Sequence, residues 1–142
     1  MKEDRNTILI VEDQKINRTI LRYMIQNAYD VLEAENGAEA WSILEEKNEE
    51  IIAILLDIVM PVMDGYEFLK KLKGSRWESI PVIAMTGDSD ITTEERTLEL
   101  GAWDFIIKPY KERILMTRLK NAIARSRMGS VSYTHLRAHE TG

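Results

Sequence analysis

The chain has 142 residues, 19 basic and 24 acidic, for a formal net charge of −5, and it contains no cysteine. One domain accounts for this length; the cysteine count excludes a disulfide scaffold, a thiolate zinc site and a cysteine nucleophile, and the acidic balance argues against a nucleic-acid-binding surface. With 44% hydrophobic and 30% charged residues the chain reads as globular, and the lack of a long apolar run or signal peptide points to no membrane association and to the cytoplasm.

The first apolar run, Thr7–Val11 (TILIV), ends in Glu12-Asp13 and is typical of a strand buried on both faces. Residues 15–27 place Ile16, Ile20 and Met24 at four-residue spacing, predicting a helix with that apolar face. Residues 29–33 predict a shorter, more polar strand suited to a sheet edge. Asn36-Gly37 signals a turn or helix start, and Gly37, Ala40, Trp41 and Leu44 follow at helical spacing. The run EEKNEE (45–50) reads as a solvated helix end and loop.

Residues 51–56 (IIAILL) form the most apolar strand, the candidate for the sheet centre, and end in Asp57. A turn at Met60-Pro61 precedes Asp64-Gly65 and a helix carrying Phe68, Leu69 and Leu72. Residues 80–85 predict a fourth strand ending at Thr86. Thr92 with Glu95 fits a capping box opening a helix, poor in apolar residues, that Gly101 closes. Residues 103–107 predict a fifth strand ending in Lys108-Pro109, and the last helix, 110–126, is expected to bury Leu115, Leu119, Ala122 and Ile123. Strands separated by helices must run parallel with right-handed crossovers, so five βα repeats predict a doubly wound (βα)5 α/β sandwich.

Residues 131–141 (VSYTHLRAHET) show no helix or strand period and resemble the in-frame translation of a transposon-derived sequencing adaptor. The expected organisation is one domain over 1–128 and a non-native or disordered tail over 129–142. On that reading the native protein can continue past residue 130. Both histidines, His135 and His139, lie in this tail, so the rest of the chain has no imidazole base and no phosphohistidine relay of its own.

In an open parallel sheet, ligands bind outside the carboxyl ends of the strands. Glu12-Asp13, Asp57, Thr86 and Lys108 all end strands, so they converge at one sheet edge. Three carboxylates at close range repel one another and call for cations. Lys108 supplies one charge, and a hard divalent ion with oxygen ligands supplies the rest, Mg²⁺ being the natural candidate beside phosphate. Carboxylates, a metal, a lysine and a hydroxyl suit a transferring phosphoryl group, with Asp57 as the nucleophile.

These residues sit in ILIVEDQ, ILLDIVMPVMDGYEFL, IPVIAMTGD and LGAWDFIIKPY, whose order and spacing resemble a bacterial two-component response-regulator receiver domain over residues 5–127. The resemblance implies a flavodoxin-like, five-stranded parallel sheet in the order 2-1-3-4-5. It implies that Asp57 accepts a phosphoryl group from a sensor histidine kinase or phosphotransfer protein. Asp13, Asp57 and the backbone carbonyl of Val59 would bind Mg²⁺, with Glu12 acting directly or through water. Lys108 would pair with Asp57 and then with the phosphoryl oxygens, Thr86 would move to hydrogen-bond the phosphoryl group, and Phe105 would turn inward as the aromatic switch. Gly87 would leave room for entry, and the Lys108–Pro109 bond would be cis. The domain would catalyse only its own phosphotransfer and dephosphorylation, and would signal through the fourth and fifth strands and helices to a partner or to an output domain lost near residue 130.

Some positions depart from the family pattern. Glu12 stands where many members have Asp. Trp103 replaces a small or acidic residue, which puts the homodimer mode of transcription-factor receivers in doubt; packing on the neighbouring helix and an interface role are its two readings. EDQKINRTIL is closer to receivers attached to signalling enzymes or hybrid kinases. The resemblance implies that Val59 and Asp88 occupy the positions that in the family tune loss of the phosphoryl group, and Val59 has no side-chain group to hydrogen-bond a water. A haloacid-dehalogenase-type phosphatase would need an acid at Val59, a flavodoxin-like cofactor binder would need a Ser-, Thr- or Gly-rich loop where Glu-Asp-Gln stands, and a non-phosphorylated pseudo-receiver is opposed by the complete set Asp13, Asp57, Thr86 and Lys108.

Overall fold

Five short apolar runs pair into one sheet whose order is set by which strands can be buried on both faces. In the computed structural model, which describes residues 6–60, 64–87 and 91–141 (backbone alone at 91–92 and 129–141), the strands are β1 (Thr7–Val11), β2 (Asp30–Ala34), β3 (Ile51–Asp57), β4 (Val82–Thr86) and β5 (Asp104–Ile107). All pair in parallel, in the order β2-β1-β3-β4-β5. The helices are α1 (Lys15–Ile25), α2 (Gly37–Lys47), α3 (Gly65–Leu72), α4 (Ile91–Glu99) and α5 (Glu112–Thr141). This is the flavodoxin-like α/β sandwich expected from the sequence.

Side chains alternate across the sheet and build two cores. Leu9, Val11, Ile54, Leu56, Val82 and Ala84 face α2 and α3, meeting Leu44, Phe68 and Leu69. Ile8, Ile10, Ala53, Leu55, Ile83 and Met85 face α1 and α5, meeting Leu21, Ile25, Leu115 and Leu119. The central position of β3 and the polar edge position of β2 follow from this: all but one β3 residue is buried, whereas β2 is mostly half-buried. The predicted α5 face is buried as read, at Leu115, Leu119, Ala122 and Ile123.

One helix face differs from its prediction. On α1, Ile16 is 67% and Ile20 41% exposed, and the residues turned inward are Arg18, Leu21 and Ile25, with Met24 packed partly beneath them. Two apolar stripes coexist on this helix, and the sheet takes the one that reaches Ile8 and Ile10. The backbone of α5 also continues to Thr141, past the predicted end at 126; no proline interrupts that stretch, and each added residue contributes one more backbone hydrogen bond. The turn residue Pro61, the Thr92 side chain proposed as a cap, and Asp88 lie outside the described residues.

Helix boundaries near the carboxyl edge are closed by side chains. Asn36 accepts from the Glu39 amide at 2.8 Å and caps α2. Asp64 and Glu67 form a reciprocal capping box at α3. Gly65 must be glycine, because a Cβ there would lie 2.5 Å from the Ile58 Cα and 2.7 Å from the Asp57 carbonyl oxygen. Helix α3 therefore starts directly against the end of β3. Among the described side chains of α4, Thr97 alone is buried, and Gly101, at φ 112°, turns the chain into β5.

Candidate functional site

Strand ends bring the acids together. Carboxylate oxygens of Glu12, Asp13 and Asp57 lie within 4.8 Å of one another, with Glu12 and Asp57 buried and Asp13 half-buried. At an effective dielectric of ~20, each charged pair at this range repels by roughly 3 to 4 kcal/mol. Lys108, delivered by the end of β5, answers this from one side. Its Nζ donates to Asp57 Oδ1 at 3.2 Å and lies 3.8 Å from Glu12 Oε1. The Lys108–Pro109 peptide is cis, as the family resemblance implied.

Thr86 ends β4 and is buried, one strand over from Asp57, which pairs with Met85. The Thr86 carbonyl accepts from the Lys108 amide at 2.8 Å, so the hydroxyl-bearing and ammonium-bearing ends are tied together. Val59 donates its amide to Asp57 Oδ1 at 3.3 Å and leaves its side chain 75% exposed at the rim. Gly87 has open space where a Cβ would stand. Phe105 is half-buried on β5, in register with Ala84, and packs against the core under α2 and α3. Trp103 packs on the α5 side, with the Arg125 guanidinium 5.2 Å from its ring.

The buried carboxylate is not an ordinary acid. Burial, and then the neighbouring Glu12 charge, push Asp57 up from 3.8 to about 7, against the pull of Lys108. Such a site favours any cation that relieves its charge. All its donors are oxygens, the set preferred by hard divalent ions such as Mg²⁺.

Two residues join the site that were not singled out from the sequence. The Tyr110 hydroxyl donates to Glu12 Oε1 at 3.1 Å, while the Gln14 amide reaches Glu12 Oε2 at 3.2 Å. Burial, then the Glu12 charge, raise the Tyr110 phenol above its ordinary 10.0, so it remains a protonated donor. Its position just past Lys108-Pro109 was the available signal. The second is Arg18, 9% exposed, whose helical register with Leu21 and Ile25 could have shown it facing inward. It contacts Glu33 on β2, as does Arg22. Burial works against the Glu33 charge, but these two hydrogen bonds hold its carboxyl below the usual range.

The chain matches the response regulator receiver domain family over residues 8–120. It is 32% identical over 136 residues to Transcriptional regulatory protein SrrA of Staphylococcus aureus, covering 95% of this chain and 55% of that protein. The chain thus spans about half the length of the curated relatives it matches. It is also similar to the signal receiver domain of a signal transduction histidine kinase from Syntrophus aciditrophicus, at 36% identity and a TM-score of 0.76, covering 84% of this chain and 90% of that one. The receiver domain of a sensor histidine kinase from Pseudomonas aeruginosa, with a magnesium ion coordinated in its active site cleft, matches at 30% identity and a TM-score of 0.76, covering 84% and 98% respectively. No described helix is long and apolar enough to cross a membrane.

Proposed function

This chain belongs to the response regulator receiver-domain family, and on that premise we propose that Asp57 accepts a phosphoryl group from a histidine kinase or a phosphotransfer protein, with Mg²⁺, in the cytoplasm. The observation that carries this reading is the convergence of Glu12, Asp13 and Asp57 within 4.8 Å, with the Lys108 ammonium 3.2 Å from Asp57. Asp13, Asp57 and the Val59 carbonyl would hold the metal, with Glu12, whose two oxygens already accept from Tyr110 and Gln14, acting directly or through water. Bound there, Mg²⁺ supplies positive charge that offsets the carboxylates and the oxygens of the transferred group.

The remaining chemistry belongs to the chain. An Asp57 carboxylate oxygen forms the new bond to phosphorus as the phosphorus–nitrogen bond to the donor imidazole breaks. Lys108 shifts from the Asp57 carboxylate to the incoming phosphoryl oxygens. Thr86 is the neutral donor at the end of the neighbouring strand. The product carries roughly −1.5 to −2 charge, by analogy with other phosphorylated side chains. That charge biases the segment from β4 to β5, where Thr97 is the one buried side chain among those described on α4, and the β4-α4-β5-α5 face passes the change to a partner or output domain.

The test is labelling with a small acyl phosphate. Wild-type protein is expected to gain one phosphoryl group only when Mg²⁺ is present, and Asp57→Asn to gain none. Labelling that survives Asp57→Asn, or that ignores chelation, overturns the assignment.

A further inference from the structure

Arg18 is a charged side chain drawn into the interior of α1's packing face. Its Nη1 donates to the Glu12 carbonyl oxygen at 2.9 Å and the Asp13 carbonyl oxygen at 3.3 Å. Its Nε donates to Glu33 Oε1 at 3.0 Å, and the other Glu33 oxygen receives Arg22 Nε at 2.6 Å. Glu33 lies on β2 in register with Ile10 of β1. One guanidinium therefore ties together α1, the edge strand and the turn that carries two of the three site acids.

The turn needs such a tie. Buried carbonyls without donors are costly, and the carboxylates on this turn are repelled by Asp57. Left loose, the turn relieves that repulsion by moving outward. A planar guanidinium spreads its donors in a rigid fork that meets two carbonyls on one side and a carboxylate on the other, whereas the three donors of an ammonium radiate from a single nitrogen. We propose that Arg18 is a positioning residue: it clamps the turn after β1 so that Glu12 and Asp13 are already gathered beside Asp57 before a cation arrives. This inference rests on the reading of the triad as a Mg²⁺ site.

The experiment compares wild type, Arg18→Lys and Glu33→Gln. Two quantities are read: Mg²⁺ affinity by calorimetry, well below each melting temperature, and amide exchange of residues 12–18 in metal-free protein. Arg18→Lys keeps the charge and loses the fork. Its Mg²⁺ dissociation constant is expected to rise about 10-fold, the scale of lost support behind metal ligands. Glu33→Gln leaves Arg18 on the carbonyls and weakens its anchor, so a smaller rise is expected. Amides 12–18 should exchange faster in both variants, with β3 and β4 unchanged. A merely structural pin would lower the melting temperature and leave affinity at the wild-type value, which overturns the proposal. If Arg18→Lys does not fold, Glu33→Gln decides alone, and unchanged affinity and exchange overturn it. If wild type itself binds no Mg²⁺, the reading of the site fails, while the exchange comparison, which uses no metal, still supports or overturns the clamp.

Discussion

Replacing Asp57 with Asn removes one charge from the buried triad at nearly constant volume. The folded protein raises the Asp57 pKa from 3.8 to about 7, chiefly through burial and then through Glu12. Between those values the folded chain holds a proton that the unfolded chain has lost. The wild type therefore has its full stability from this group below about pH 4 and loses it as pH rises through about 7. The full rise corresponds to at most roughly 4 kcal/mol. That net rise already includes the pull of Lys108, 3.2 Å from Asp57, so losing this ion pair subtracts nothing further.

In chelator, Asp57→Asn is thus expected to be more stable than wild type by up to ~4 kcal/mol near pH 8 and about equal to it near pH 4. Urea unfolding at the two pH values measures this; with a slope of ~1–3 kcal/mol/M, the midpoint at the higher pH moves by about 1 M or more. Mg²⁺ should narrow this gap, since it stabilises only the chain that binds it, by about 2.7 kcal/mol at 100 times the dissociation constant. A variant no more stable than wild type near pH 8 in chelator would refute the account of Asp57 as a carboxylate held under charge repulsion.

Three further outcomes are expected. Gly65→Ala should destabilise the protein by ~1–3 kcal/mol in thermal or urea melts, because the new methyl meets backbone of Ile58 and Asp57, and it should also slow phosphoryl uptake by displacing Asp57. Val59→Asn should shorten the life of the phosphoaspartate, measured by loss of label after donor removal, because an exposed apolar rim residue is replaced by one that can hold a water; a lifetime no shorter than wild type counts against the role given to Val59. A phosphoryl mimic bound with Mg²⁺ should change amide exchange within residues 86–106 more than in β1 or β3, and equal exchange with and without it removes α4 as the moving element.

Much of this protein was legible in one dimension. Strands buried on both faces read as unbroken apolar runs, so β1 and β3 stood out before any pairing was known, and the polar character of residues 30–33 marked an edge. The parallel βα repeat then forces strand ends to one side, which is why Glu12, Asp13, Asp57, Thr86 and Lys108 could be grouped from their positions alone. Periodicity was a weaker guide on α1. Ile16 and Ile20 satisfy the helical spacing and are left exposed, because Leu21 and Ile25 satisfy it equally and lie over the sheet.

What only the tertiary structure decided is the support around those acids. The donation of Tyr110 to Glu12 spans 98 residues of sequence, Lys108 reaches Asp57 across 51, and Gly65 is required by a backbone approach that has no local signature. Sequence patterns record which residues prefer burial and where the chain turns. Which side chain meets which across the sheet depends on strand order and register, and those exist only once the chain has folded.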